Sequence, residues 1–206
     1  MKIYMLRHGE TSDNTAGRYT GGGDAALTDR GQEQMRAVAA RLAGAGIARL
    51  WCSPSPRAIQ SATLALPGVH PQQDDRLRER DMGIFEGLTY GQICQRYPTE
   101  CAAWQADWVG YAISGGESYG QFYERVAGFW RELLAKEEGD ALLSAHGGVL
   151  RASYCFVMGD PALFWKFACR NGDVAAVHYE YGNLYLGAIW PGEPAGEGPR
   201  AKARSY

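Results

Sequence analysis

The chain has little of what would mark it for a membrane, a polyanion or a cross-linked extracellular fold. No uncharged run approaches the roughly 20 residues needed to span a bilayer. Between Met1 and His8 only Ile3-Tyr4-Met5-Leu6 is apolar before charge returns, too short for the core of a secretory signal. Neither sign of charge dominates: the formal net charge is −2 over 206 residues. That excludes the basic stripe of a nucleic-acid binder, yet a small anion can still be held by a few local cations. The five cysteines are Cys52, Cys94, Cys101, Cys155 and Cys169. They form no Cys-x-x-Cys pair and are odd in number, so neither a zinc site nor a disulfide framework is expected. Free packing thiols in a reducing, cytoplasmic compartment are the expectation. His8, His70, His146 and His178 contain no His-x-x-x-His pair, and no carboxylates cluster with metal spacing. Neither metal nor cofactor is implied. Internal repeats are absent too.

What is present is ordinary globular material, 46% apolar and 21% charged, enough for one well-buried domain over residues 1–190. From Pro191 to 206, proline, glycine and charge predict a loose tail. Ile3–Leu6 reads as a buried strand, with loop chemistry running on to about Ala26. A helix is predicted from Thr28 to Ala45, with Met35, Val38, Ala39 and Leu42 on one face, Thr28 as its cap and Gly46 as its stop. Arg49–Cys52 reads as a strand and Arg57–Leu66 as a helix. Residues 74–87 are charged and irregular. Helices are predicted at Tyr90–Tyr97, Glu100–Val109 and Gly120–Glu138. A strong strand at Asp140–Ala145 precedes a helix through Met158. Val174–Tyr181 and Leu184–Trp190, joined at Gly182-Asn183, read as a hairpin. Strand followed by helix recurs three times, the pattern of an α/β protein with a mostly parallel, doubly wound sheet and helices on both faces.

The chemically loaded residues fall just after strands, where open α/β sheets bind ligands. Arg7-His8-Gly9 follows the first strand, Ser53–Arg57 the second and His146-Gly147-Gly148 the third. Taken singly, each has an ordinary explanation: a core histidine, a solvated helix-start arginine, a strand-end turn. Together they fit phosphoryl transfer, which needs an in-line nucleophile and positive charge about the equatorial oxygens. One imidazole nitrogen can attack while a hydrogen bond on the other fixes the tautomer. Arg57 joins a guanidinium fork to a helix N-terminus, both suited to phosphate. Two arginines and a protonated His146 would face a phosphate dianion, each contact worth roughly 4 kcal/mol at an effective dielectric of about 20, before desolvation.

Leu6-Arg7-His8-Gly9-Glu10-Thr11 with Asn14, Leu27-Thr28-x-x-Gly31, Ser53-x-x-x-Arg57-Ala58, Glu79 and Ser144-x-His146-Gly147-Gly148 together resemble the histidine phosphatase superfamily, the phosphoglycerate-mutase-like family, over residues 2 to 190. The resemblance implies a three-layer fold with a helical insert at about 79–118 forming a substrate cap. It implies His8 as the nucleophile that becomes phosphorylated, with Arg7, Arg57 and His146 as the phosphate clamp. Glu79 would be the general acid and base. Asn14, Thr20, Gly21 and Gly147 would contact substrate. The implied partner is a small phosphate ester handled by a monomer or homodimer, without nucleic acid or membrane. The short step from Glu79 to Gly116-Glu117-Ser118 leaves no room for the insertion of the cofactor-dependent mutases. Gly83–Tyr90, Tyr97-Pro98, Trp104-x-x-x-Trp108, Gly115–Ser118 and Arg125-Val126 look like the α-ribazole phosphatase branch, which acts late in cobalamin assembly. Sugar bisphosphatases and broad-range phosphatases share much of that stretch. An inactive phospho-ligand-binding relative would lack His8, Glu79 or His146, and all three are present. Trp104 and Trp108, four apart, are expected on one helix face. There they either wall the leaving group or pack the insert on the core.

Overall fold

Strand β1 (Lys2–Arg7) is buried along its centre, and its pleat sends alternate side chains to opposite sides. Ile3 and Met5 enter one apolar cluster, Tyr4 and Leu6 another. A strand apolar on both faces must be covered on both. The computed structural model, which describes residues 1–23, 25–136 and 138–192, shows how. Six strands form one mixed sheet in the order β3-β2-β4-β1-β5-β6. β2 (Arg49–Cys52), β3 (Gln72–Gln73) and β4 (Ala141–Ala145) run parallel to β1. β5 (Val174–Glu180) is antiparallel to β1 and turns back into β6 (Asn183–Trp190). Besides the single-turn α1 (Ser12–Thr15), helices α2 (Asp29–Leu42) and α3 (Pro56–Ala65) cover one face. They set Met35, Val38, Leu42 and Ala62 against Tyr4, Leu6, Leu50 and Leu142. Helices α6 (Tyr119–Lys136) and α7 (Gly147–Met158) cover the other with Phe122, Val126, Phe129, Trp130 and Leu150. Each such side chain, once fully buried, contributes about 1.5–3 kcal/mol against the entropy of ordering the chain.

Local chemistry sets the boundaries. Thr28 caps α2 by accepting from the Gly31 N–H at 3.0 Å. The helix ends at Leu42 rather than Ala45, because Ala43 leaves helical ψ and Gly44 and Gly46 adopt positive φ. The two-residue β3 escaped the sequence reading: both its glutamines are exposed, so no apolar period marks it. The hairpin turn is Tyr181-Gly182, one residue earlier than predicted, with both residues at positive φ. The predicted tail beyond 192 lies outside the described residues.

Between residues 79 and 118 the chain builds a third apolar cluster of its own from Met82, Phe85, Ile93, Cys101, Trp104 and Ile113. Two expectations are corrected there. Helices α4 (Tyr90–Arg96) and α5 (Pro98–Ala106) meet at Tyr97-Pro98, and that corner brings Cys94 and Cys101 to a Cα separation of 5.3 Å as a disulfide. Only Cys52, Cys155 and Cys169 are free, so cysteine usage no longer argues for a reducing compartment. Second, α5 stops at Ala106. The Asp107 carboxylate accepts the Gly110 N–H at 2.8 Å and closes a turn, so Trp108 lies beyond the helix and shares no face with Trp104. Among the described residues no helix is long and apolar enough to cross a membrane.

The loop that carries His8 is seated by a backbone-to-backbone approach. A Cβ on Gly9 would strike the Gly31 carbonyl, and one on Gly31 would strike Glu10. Both glycines of the motif pattern are therefore packing requirements. Gly31→Ala is expected to lower stability by about 1–3 kcal/mol in urea denaturation. A change within about 0.5 kcal/mol, the scatter of a neutral surface site, would mean that the loop yields at no cost.

Candidate active site

β1, β2 and β4 end side by side, and each delivers one site residue to the same rim. His8 follows β1, and its N–H bonds Ala145 O of β4 at 2.9 Å. Its ring is buried, with Nδ1 donating to Gly9 O at 2.7 Å. A carbonyl can only accept, so Nδ1 carries the proton and Nε2 keeps its lone pair. Burial, then Arg7 and Arg57, holds the His8 pKa well below 6.5. Ser53 follows β2 and is hydrogen-bonded at 2.8 Å to Nε2 of His146, which follows β4 and precedes α7. The two imidazoles meet edge to face at 5.2 Å. His146 Nδ1 is buried without a hydrogen-bond partner. Burial, Arg57, His8 and Arg7 together depress its pKa well below 6.5. His146 is therefore neutral, because burial and the site's own cations oppose a further charge.

Arg7 is fixed by Nη1 donating to Cys169 O at 2.6 Å. Arg57 is buried and donates to Gly23 O at 2.5 Å, Gly21 O at 3.0 Å and Thr20 O at 3.2 Å. Thr20 and Gly21 thus anchor the guanidinium through their carbonyls, while the Gly21 N–H is taken by the Glu86 carboxylate at 2.9 Å. Glu79 is held by N–H groups of Gly148 at 2.8 Å and Arg80 at 3.0 Å. A side chain at Gly148 would collide with that carboxylate, and a Cβ on Gly147 would lie 3.3 Å from Arg7 Cζ. Asn14 Oδ1 accepts from Thr11 N at 3.1 Å and Asn171 Nδ2 at 2.9 Å, so its NH₂ is what it can offer a ligand. A cavity of about 200 Å³ is lined by His8, Arg7, Arg57, Asn14, Thr20, Glu79 and Trp104. Trp108 instead packs on Tyr119, 4.3 Å between ring centroids, and on Phe164 and Trp165. Among the described residues, no three His, Cys, Asp or Glu side chains gather closely enough to hold a metal ion.

Residues 3–189 match the family model for the histidine phosphatase superfamily, branch 1. The chain belongs to that superfamily. It is a phosphatase, a phosphoric monoester hydrolase. It is 29% identical over 184 residues, 87% of each chain, to phosphoserine phosphatase 1 of Hydrogenobacter thermophilus. It is 35% identical over 161 residues to the 6-phosphofructo-2-kinase/fructose-2,6-bisphosphatase of Caenorhabditis elegans. That match takes in 77% of this chain but 34% of the larger protein. The crystal structure of the α-ribazole phosphatase from Shigella flexneri superposes with a TM-score of 0.88 at 26% identity, covering 96% of this chain and 100% of that one.

In this histidine phosphatase several supporting residues escaped the sequence reading. Asn171 Nδ2 donates to His8 O at 3.1 Å and Gly9 O at 3.2 Å, clamping the His8 loop from 163 and 162 residues away in sequence. Ser53 was read only as part of a turn. Arg18, Arg80 and Arg151 line the same cavity. Arg125 donates to the carbonyls of Arg76 and Arg78 at 2.9 Å and of Glu79 at 3.3 Å, and is ion-paired with Glu117. Glu117 Oε1 in turn accepts the Asp81 N–H at 3.0 Å. The Gly-Gly-Glu-Ser and Arg-Val signals in the sequence were thus marking a brace for the loop that carries Glu79.

Two outcomes follow from this geometry. Arg125→Gln releases the Glu79 loop, so kcat should fall at least about tenfold while KM changes less; equal kcat in steady-state assays would show that the brace is dispensable. The second concerns pH. In the unfolded chain both histidines titrate near 6.5, whereas the fold keeps them neutral well below that. The unfolded state therefore takes protons first, and stability is lost as pH falls from 6.5, by up to about 1.4 kcal/mol per pH unit for each histidine. Urea titrations at pH 7.5 and 5.5 should show the loss, reduced in His146→Gln; identical curves would rule it out.

Proposed function

We propose that this phosphatase hydrolyses a small phosphate monoester through a phosphohistidine on Nε2 of His8. The observation that carries the reading is the Nδ1–H bond to Gly9, which leaves a bare Nε2 in a cavity shared with Arg7, Arg57 and one backbone-held carboxylate. Nε2 attacks phosphorus, the ester P–O bond breaks, and Glu79 gives its proton to the departing alkoxide. Glu79, now ionised, takes a proton from water, whose oxygen attacks the phosphohistidine. Inorganic phosphate leaves and His8 is restored. Arg7 and Arg57 neutralise the equatorial oxygens, and a phosphate dianion beside His146 favours the imidazolium that the apo site disfavours.

Two substrate readings rest on different observations. The Gly83–Arg125 motif run, the Shigella neighbour and an aromatic wall at Trp104 favour α-ribazole 5′-phosphate. The arginine-rich cavity and the phosphoserine and fructose-bisphosphate relatives favour an ester whose leaving group is itself charged. The chemistry is common to both. Glu79→Gln should cost about 10²–10⁴-fold in kcat on alkyl phosphates and far less on p-nitrophenyl phosphate, whose leaving group needs no proton. His8→Ala should trap no acid-labile phosphoenzyme, and turnover should persist in EDTA. A phosphoenzyme surviving in His8→Ala would overturn the mechanism.

A further inference from the structure

A four-residue turn just before β5 holds the His8 loop from behind. Residues 170–173 close on themselves through the Asp173 N–H to Arg170 O at 3.1 Å, and Gly172 takes the positive φ that a type II turn requires at its third position. Two backbone bonds lock the turn to the end of β1: Arg7 N–H to Asp173 O at 3.0 Å and Gly172 N–H to Arg7 O at 3.1 Å. From the tip, Asn171 Nδ2 reaches His8 O, Gly9 O and Asn14 Oδ1. Gly9 O therefore accepts twice, from Asn171 and from the His8 ring, which uses both its lone pairs and ties that peptide from two sides. One buried carboxylate sets the shape of the turn. Asp173 Oδ2 accepts the Arg170 N–H at 2.6 Å, and Oδ1 accepts the Gly192 N–H at 2.9 Å. Gly192 lies two residues past β6, and its neighbour Pro191 is held in turn by Arg41 Nη1, which donates to Pro191 O at 2.8 Å. The Gly192 backbone is pressed so closely on the back of the turn that a Cβ there would strike Asn171 O and Gly172. Neither Asp173 nor Gly192 lines the cavity. Burying a carboxylate costs desolvation, and here backbone N–H groups, not a ligand, supply the compensation.

We infer that Asp173 is a positioning residue for phosphoryl transfer: its carboxylate sets the turn that bears Asn171 and fastens it to Gly192, so the chain leaving β6 belongs to the support of the His8 ring. This rests on the phosphohistidine reading above and deepens it. The ring's orientation depends on the Gly9 carbonyl, the second partner of that carbonyl is Asn171, and Asn171 is placed by the turn. Asparagine at 173 would keep the shape of the carboxylate but set an NH₂ against one of two N–H donors. Either the turn opens at Arg170 or Gly192 is released.

The test follows the His8 ring itself. Full-length protein carrying ¹⁵N-labelled histidine is measured by NMR at about pH 8, where imidazoles are neutral, and the His8 signals are assigned by their loss in His8→Ala. The wild type should show a protonated Nδ1 and a bare Nε2. In Asp173→Asn, Gly192→Ala and Asn171→Ala the two signals should move toward each other as the second tautomer is populated. In the same variants kcat on p-nitrophenyl phosphate should fall at least about tenfold, with KM changed less. Asn171→Asp, which turns a donor into an oxygen facing His8 O, Gly9 O and Asn14 Oδ1, should lose more than Asn171→Ala. Each variant is assayed well below its own Tm, so that lost folded protein is not counted as lost rate. Gly192→Ala disturbs the same contact if Asp173→Asn does not fold. Lowered stability with an unchanged His8 spectrum and an unchanged kcat would overturn the inference and leave Asp173 a residue of the fold alone. Failure of the phosphohistidine reading is seen separately: no phosphoenzyme would form on His8, while the spectral shifts would still report the positioning.

Discussion

The hydrogen bond from His8 Nδ1 to the carbonyl of Gly9 is the constraint on which the remaining site depends. An imidazole with a free choice of tautomer would place its lone pair on either nitrogen; a carbonyl partner removes the choice. That bond requires the Gly9 peptide to hold its orientation, which Asn171 secures from one side and the Gly31 backbone from the other. The approach of Gly9 to Gly31 in turn fixes where α2 begins. Thr28, Gly31 and the His8 loop therefore form one unit, although 18 residues of chain lie between Gly9 and Thr28.

Around this unit the electrostatics pull in opposing directions. Arginines are gathered for an anion, and the same positive field keeps both buried histidines neutral. Neutrality suits His8, whose lone pair must remain available. For His146 it makes the charge conditional: a dianion beside Nδ1 would offset the repulsion from Arg57 and Arg7. Binding and protonation would then be linked, the site being most strongly positive with a negative ligand bound.

Much of this was legible in the sequence because it is written in short local patterns. β1, β2 and β4 are apolar runs with a polar residue at the carboxyl end, and Thr28 announces α2. What escaped notice depends on residues remote in sequence or on turns without a pattern. β3 has no apolar period. Asn171 reaches His8 across most of the chain. The Cys94–Cys101 pairing follows from a corner between two short helices, and the separation of Trp104 from Trp108 follows from one aspartate that closes a turn. Helical periodicity assumes an unbroken helix, and it failed where a side chain competed with the backbone for a hydrogen bond.

The brace of Arg125 and Glu117 has a consequence for how such an enzyme can change over evolutionary time. Glu79 is tied on one side to α7 through Gly148 and on the other to α6 through Arg125, both core helices packed on the sheet. Glu79 thus belongs mechanically to the frame, although in sequence it opens the insert. Residues 81–113 can drift in length, packing and charge, and so explore new leaving groups, while Glu79 stays in register with His8.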